Sequence, residues 1–393
     1  MNAPVIQSDA QALSLARELA AEFETDASAR DRDRRLPFAE VERFSASGLW
    51  GITVPRAFGG AAVSHATLAE VTALISEADP ALGQIPQNHY CLVDAVRLIG
   101  SPAQQDFFFA EALRGQRFGN AVSESGTPNA KVVTARLTQT PGGLRLDGRK
   151  FYCTGALFAH WVPVAAKDAD DRQVLVYVPR DAPGLQVIDD WSGFGQRTTA
   201  SGTVTADNVA IDPLWVLPRA QLFEPPTIHG PFAQILHAAI DLGIGRAAMA
   251  ALRHWVRDRA RPWPDSGVTR AGDDPLTLSK AGDLRIQQHA AEALLQRAGR
   301  FLDAARDEAT PENVSEASIA VAEAKVLTTE FALRAATTLI ELGGTQATLA
   351  EHNLDRHWRN ARTHTVHDPV RWKPHAIGNH WINGAAPQRH ASL

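Results

Sequence analysis

Apolar positions in the first part of the chain recur at three- and four-residue spacing. Leu13, Leu15, Leu19 and Phe23 predict an amphipathic helix over residues 10–23, and a second follows over 38–48. The stretches Gly51-Ile52-Thr53-Val54-Pro55 and Phe58-Gly59-Gly60 break the pattern. Ser64 is placed to cap a helix carrying Leu68, Val71, Leu74 and Ile75. A helix from about residue 82 past His89 to 99 comes next, and Pro102 opens another over 103–113.

Near Phe118 the period changes from helical to strand-like. Short, often alternating segments occupy 132–137, 144–146, 150–153, 161–165, 174–178 and 202–204. Pro141-Gly142-Gly143, Asp147-Gly148 and Pro183-Gly184 read as the turns between them, and the sheet region ends near Pro218. Helical spacing returns over 232–260, 276–306 and 313–342, with a Pro-, Gly- and Asp-rich interruption at 261–275. After Pro369 the chain reads as irregular. The predicted fold is α+β in three domains: helical 1–117, a β-barrel-like 118–220, and a four-helix bundle with a His-rich tail at 221–393. No strand–GxGxxG–helix unit is present, so a nicotinamide-binding Rossmann domain is not indicated.

Composition narrows the class. The 393 residues are 45% hydrophobic and 21% charged, ordinary for a soluble globular protein. A net charge of -5 gives no general reason to bind nucleic acid or an anionic membrane. Arg253, Arg257, Arg259 and Arg261 form a local cluster that suits a phosphate rather than a polymer. Cys91 and Cys153 have no metal or disulfide-framework spacing and read as reduced thiols. The N-terminus is acidic, without a signal pattern, and no apolar run reaches the roughly 20 residues of a membrane span. A cytoplasmic enzyme is expected.

Seven of the fourteen histidines lie between His352 and His390. Imidazole changes charge near neutral pH and serves as acid, base, donor or ligand, so this density predicts the wall of a reaction chamber. His364, His367 and Asp368 are the ligand types of a non-haem iron triad. Pro369 ends any helix there, and a metal is not expected.

Ordered marks along the whole chain resemble the acyl-CoA dehydrogenase superfamily. They are Val54-Pro55 with Phe58-Gly59-Gly60, Ala121-Val122-Ser123-Glu124-Ser125-Gly126, Gly148-x-Lys150 leading to Thr154-Gly155, and Gly195-Gln196-Arg197-Thr198 with Ser201 before Asn208-Val209. Leu342-Gly343-Gly344 and Arg356-x-x-Arg359-Asn360-Ala361-Arg362 complete the set. Further marks are similar to the flavin-dependent monooxygenase branch that acts on dibenzothiophene and in dimethyl sulfone use. These are Gln87-Asn88-His89-Tyr90, Phe118-Gly119-Asn120-Ala121, Tyr152-Cys153-Thr154-Gly155-Ala156, Arg261-Pro262-Trp263 and His364-x-x-His367-Asp368-Pro369.

The resemblance implies a two-component enzyme. Reduced FMN, with FAD as the alternative, reacts with O2 through a C4a-(hydro)peroxyflavin to oxygenate a small organosulfur or similar heteroatom compound, in sulfur acquisition. A separate NAD(P)H:flavin reductase supplies the flavin, and the assembly is a homotetramer. His89, Asn120, Thr154, His364 and His367 are implied to line the pocket; Ser123, Trp191, Ser201, Arg259, Arg261, Gly343 and Gly344 are implied to meet the flavin. Plainer alternatives stand beside these roles. His89 reads equally as a satisfied helix histidine, Asn120 and Thr154 as bonding backbone at strand ends, Trp191 as core, and the arginines as a solvated helix end. His375, His380 and His390 read as structural or surface. Asp368 stands near the position where some dehydrogenases carry a Glu base, one methylene shorter and followed at once by Pro369. It is either a displaced base or a turn-forming Asx. The rival functions are therefore acyl-CoA desaturation by Asp368 and a non-catalytic flavin-binding relative.

Overall fold

The computed structural model describes residues 3–129 and 132–392. Five helices come first: α1 (Asp9–Asp33), α2 (Phe38–Ser47), α3 (His65–Ala78), α4 (Pro80–Ile99) and α5 (Pro102–Leu113). Ser8, Ser64, Asp79 and Ser101 cap α1, α3, α4 and α5 by accepting backbone N–H bonds of the first turn, and Gln104 completes a capping box with Ser101. α1 continues well past the predicted end at residue 23. Its last turns bury Arg30, which pairs with Asp79 and Glu40 at 2.9 Å each, a polar burial that no apolar period reveals.

The middle region holds β1 (Arg136–Thr140), β2 (Gly143–Lys150), β3 (Trp161–Lys167), β4 (Gln173–Pro179), β5 (Leu185–Ile188), β6 (Thr203–Ile211) and β7 (Val216–Leu217). They form one sheet in the order β5-β6-β2-β1-β3-β4-β7, with β1 and β3 parallel and the other neighbours antiparallel. β5 and β7 are its edges, so the sheet is open rather than a closed barrel. Asp147-Gly148 is not a turn but an irregularity inside β2, where the register to β6 shifts. Gly148 is needed for close approach, since a Cβ there would sit 2.4 Å from Ala135 Cβ. The segment before β1 also departs from expectation. Thr134 and Ala135 donate their backbone N–H groups to the Glu124 carboxylate, which pairs with the buried Lys150 at 2.5 Å, instead of joining a strand.

α6 (His229–Asp258), α7 (Pro275–Asp307) and α8 (Pro311–Gly343) are the long helices of the last region, and α3 packs against α6 and α7. α6 has the length and composition of a membrane span, but 72% of its apolar window is buried inside the protein, which makes it a core helix. α9 (Asp355–Thr365) carries His357 and His364 of the clustered histidines. The chain beyond Pro369 is not irregular: a single turn over Val370–Trp372 leads into α10 (Lys373–Asn383). Pro374 sits in the first turn of α10, where a missing N–H costs nothing. Cys91 and Cys153 are both free thiols, and burial pushes Cys153 up to about 12, leaving it unreactive near neutral pH.

His89 belongs to this scaffold. It is fully buried in α4, where its Nδ1 accepts from Phe118 N at 3.1 Å and its Nε2 donates to Trp50 O at 2.8 Å. Both nitrogens are committed, so the expectation that His89 faces a reaction chamber is corrected. Burial lowers its pKa from 6.5 to about 3, keeping the ring neutral. His89→Ala should cost about 3 kcal/mol in urea unfolding at pH 7, because it opens a cavity and orphans two backbone groups. The unfolded chain takes up a proton at this residue below 6.5 whereas the native state resists until about 3. The stability from the neutral ring therefore falls as pH drops through that window, and the gap between wild type and variant should be smaller at pH 5 than at pH 7.

Candidate functional site

Where β2 leaves the sheet, the backbone turns sharply, with Tyr152 at φ 61° and Gly155 at φ 76°. Asn120 is tied across this turn: its N donates to Thr154 O at 3.1 Å and its Nδ2 to Tyr152 O at 3.3 Å. Ser123 O accepts from Phe151 N at 3.1 Å. The hydroxyls then run in sequence. Thr154 Oγ1 lies 2.6 Å from Ser201 Oγ, which lies 2.7 Å from Thr199 Oγ1, which donates to Gln196 O at 3.0 Å. Trp191 Nε1 donates to the same carbonyl at 2.9 Å. One connected strip thus unites Asn120, Thr154, Trp191 and Ser201, with Ser123 at its margin. Tyr152, Gln196 and Ala200 along it all hold positive φ, a backbone strain of the kind stored at functional sites.

α9 docks directly on the strip. A Cβ at Gly195 would fall 2.0 Å from Arg359 O, so only glycine lets the β5–β6 loop reach the helix. Gln196 N donates to Asn360 Oδ1 at 2.7 Å. Beside this contact the Gln196 side-chain amide and Thr363 Oγ1 are buried without a hydrogen-bond partner, which marks a place for a polar group. Aromatic rings edge the same loop. Tyr152 and Phe194 are about half exposed, and Phe194 stacks on Trp358 at 5.9 Å between centroids.

At the far end of α9 the histidines divide. His364 is buried, with Nδ1 2.5 Å from Asp241 Oδ1 and Nε2 3.1 Å from His237 Nδ1. His367 is 49% exposed at the rim of a 430 Å³ recess lined by Thr329, Arg362, Val366 and Asp368, and its ring lies 4.1 Å from that of His237. Asp368 is 6% exposed, 3.6 Å from His367 Nδ1 and 3.5 Å from Lys373 Nζ. Burial would raise the Asp368 pKa, but His367, Lys325, His237 and Lys373 together hold it well below the carboxylate range. Lys373, lowered to about 8 by burial against the pull of Asp368, also donates to Gln234 Oε1 at 2.8 Å and Ser392 O at 2.9 Å. Among the described residues no group of three His, Cys, Asp or Glu side chains is arranged to hold a metal ion.

His237, Asp241 and Lys325 were not singled out by sequence. Their one signal is a pair of polar residues a turn apart on α6, a long apolar helix; Lys325 lies on another helix and is silent until the fold forms.

Arg259, Arg261, Gly343 and Gly344 form a separate group at the ends of α6 and α8. Trp255 joins them, donating Nε1 to Gly343 O at 3.1 Å while its carbonyl accepts from Arg259 N at 2.8 Å. Gly344 has φ 68°. A 780 Å³ cleft runs from Arg197, Thr198 and Asn360 to Trp255 and Arg259.

Comparison with known proteins assigns this arrangement to a family. The acyl-CoA dehydrogenase N-terminal domain profile matches residues 8–116, the middle domain 120–209 and the C-terminal domain 235–372. The chain is 33% identical to dibenzothiophene monooxygenase from Rhodococcus qingshengii, over 96% of this chain and 95% of that one. It is 32% identical to the probable FMNH2-dependent monooxygenase SfnC of Pseudomonas putida, over 98% of each. The solved structure of FMN-bound TdsC from Paenibacillus sp. A11-2 superposes with a TM-score of 0.92 at 30% identity, over 97% of this chain and 100% of that one. The chain belongs to the acyl-CoA dehydrogenase superfamily, in its flavin-dependent monooxygenase branch.

Proposed function

We propose that the chain is a two-component monooxygenase that uses reduced FMN and O2 to oxygenate a small organosulfur or similar heteroatom compound, in sulfur acquisition. The observation that carries this reading over desaturation is the state of Asp368. Removing a proton from carbon needs a carboxylate with substantial proton affinity, and general bases work best with a pKa near the operating pH. Asp368 is instead buried, ion-paired with Lys373 and held far below that range, which makes it a weak base. Imidazoles occupy the end of α9 in its place. The names of the similar proteins, dibenzothiophene monooxygenase and FMNH2-dependent SfnC, support the same reading.

The residues present fit a flavin. The hydroxyl strip and the unpaired Gln196 amide offer donors and acceptors to a ring edge, and the Trp191 indole offers a face. When bound, reduced FMN supplies the electrons and activates O2 at its C4a carbon. Asn120 and Thr154 would orient the ring through hydrogen bonds. His367 would hold or move a proton at a ring nitrogen, with His364 behind it. Arg259 and Arg261 would hold the phosphate through guanidinium forks, and Gly343-Gly344 would bring backbone to the flavin of a neighbouring subunit in a homotetramer. Reduced FMN would come from a separate NAD(P)H:flavin reductase in the cytoplasm, with FAD the alternative cofactor.

Mixing the protein with photoreduced FMN and dibenzothiophene in air should give an oxygenated sulfur product, and NADH without a reductase should give none. His367→Ala should cut that product about 100-fold while O2 is still consumed and released as hydrogen peroxide. Thr154→Val should weaken FMN binding roughly five- to tenfold in a fluorescence titration, the loss expected for one hydrogen bond. Rapid anaerobic bleaching of bound FAD by an acyl-CoA would instead establish desaturation, and silence in both assays would favour a binding-only relative.

A further inference from the structure

Three helices meet in a buried polar cluster behind His367. α6 supplies His237 and Asp241, α8 supplies Lys325 and Thr329, and α9 supplies His364. His237 is 2% exposed, Asp241 and Lys325 0% and His364 1%. Asp241 uses both oxygens: Oδ1 lies 2.5 Å from His364 Nδ1, and Oδ2 accepts from Lys325 Nζ at 2.7 Å and Thr329 Oγ1 at 2.6 Å. His364 Nε2 lies 3.1 Å from His237 Nδ1, whose ring is tilted 33° against that of the half-exposed His367. Hydrogen bonds run from His237 through His364 to the buried Asp241, and the His367 ring packs against the outer end of this chain at 4.1 Å between centroids.

The protons in this line can be counted. Burial lowers both His237 and His364, and Lys325 pushes the same way, while Asp241 opposes the shift at His364; both rings are neutral near pH 7. Burial would raise Asp241, but Lys325 and His364 hold it anionic. His364 Nδ1 must then carry the hydrogen it donates to Asp241, which leaves Nε2 bare. A bare Nε2 accepts, so His237 Nδ1 is the donor across the 3.1 Å contact. Both tautomers are fixed, and His237 Nε2 is the remaining basic nitrogen.

We propose that His237, His364, Asp241 and Lys325 form a one-proton relay behind His367. A proton accepted at His237 Nε2 is matched by passage of the Nδ1 proton to His364 Nε2, so the added charge comes to rest beside Asp241. The reverse transfer returns it. Its use rests on the oxygenase reading: the relay exchanges the proton that His367 holds during oxygen insertion, and His237, Asp241 and Lys325 are positioning residues. Stability does not account for the cluster. Replacing a buried ion pair by apolar residues of similar volume is often neutral or stabilising. Beyond the cluster, the ionised groups near His367 are Asp368, its own neighbour in sequence, Lys373 at the start of α10, and Arg362 and Arg371, which line the same recess.

The test is solid-state ¹⁵N NMR on the flavin-free, histidine-labelled protein, paired with turnover. The native protein should show His237 and His364 each protonated at Nδ1, with a coupling between His237 Nδ1 and His364 Nε2. Asp241→Asn should mix the His364 tautomers. His237→Phe should erase the coupling while retaining the His364–Asp241 signal, which certifies its fold. With photoreduced FMN and dibenzothiophene, His237→Phe should lower kcat at least about tenfold, leave KM for the sulfide unchanged and alter the solvent isotope effect. An Nε2-protonated His364 in the native protein, or native turnover in His237→Phe, overturns the relay. Native relay tautomers in a protein that oxygenates nothing would overturn the oxygenase reading and leave the proton arrangement standing.

Discussion

The candidate site depends on one guanidinium. Arg359 places all five of its N–H groups: Nε on Asp355, Nη1 on Asp31 and the Phe194 carbonyl, and Nη2 on Asp31 and Asn353. Those partners come from α1, the β5–β6 loop and the segment around α9, so a single side chain ties all three regions of the chain together. An arginine has five donors and no more. Nothing is left for a ligand, and the residue reads as a structural clamp beneath the site. With Gly195 against its carbonyl, Arg359 fixes where the hydroxyl strip meets the histidine helix.

This construction explains which parts of the molecule were legible in sequence. Helices with apolar periods and hydroxyl or carboxylate caps were visible because both signals are local. The long α6, α7 and α8 followed from length and apolar content. What failed were places where a residue serves a distant partner. Asp147-Gly148 looked like a turn, yet Gly148 is small because Ala135 presses on it. Residues 134–135 looked like strand, yet their N–H groups serve Glu124. α10 was hidden because its two histidines, lone tryptophan and early proline carry no helical stripe.

The site shows the same division more sharply. Asn120, Thr154, Trp191 and Ser201 lie near one another in the fold, joined by hydroxyl and carbonyl bonds. His89 shared the resemblance but has no free nitrogen; only the positions of Trp50 O and Phe118 N, neither of which is a sequence property, decide that. His364 was visible in a conspicuous cluster of histidines, whereas His237 lay in an apolar helix where a lone imidazole looks like core. Its partners Asp241, Lys325 and Thr329 are spread over two helices, and their common purpose exists only once α6 and α8 are packed.

The electrostatics of this packing also bear on the choice between proton abstraction and oxygen chemistry. Two buried lysines, Lys325 and Lys373, stand among Asp241 and Asp368 in a region with little water. Each carboxylate is thereby kept ionised, and neither retains the proton affinity a carbon acid would require. The imidazoles are treated in the opposite way: burial, with Lys325 adding to it, keeps His237 and His364 neutral, able to accept a proton and to pass one on. Lys325 contributes to both effects, since it lowers the two carboxylates and the two imidazoles alike. The charge layout at the end of α9 disarms a carboxylate base and leaves neutral histidines in reserve, which weighs against proton abstraction from carbon by either carboxylate.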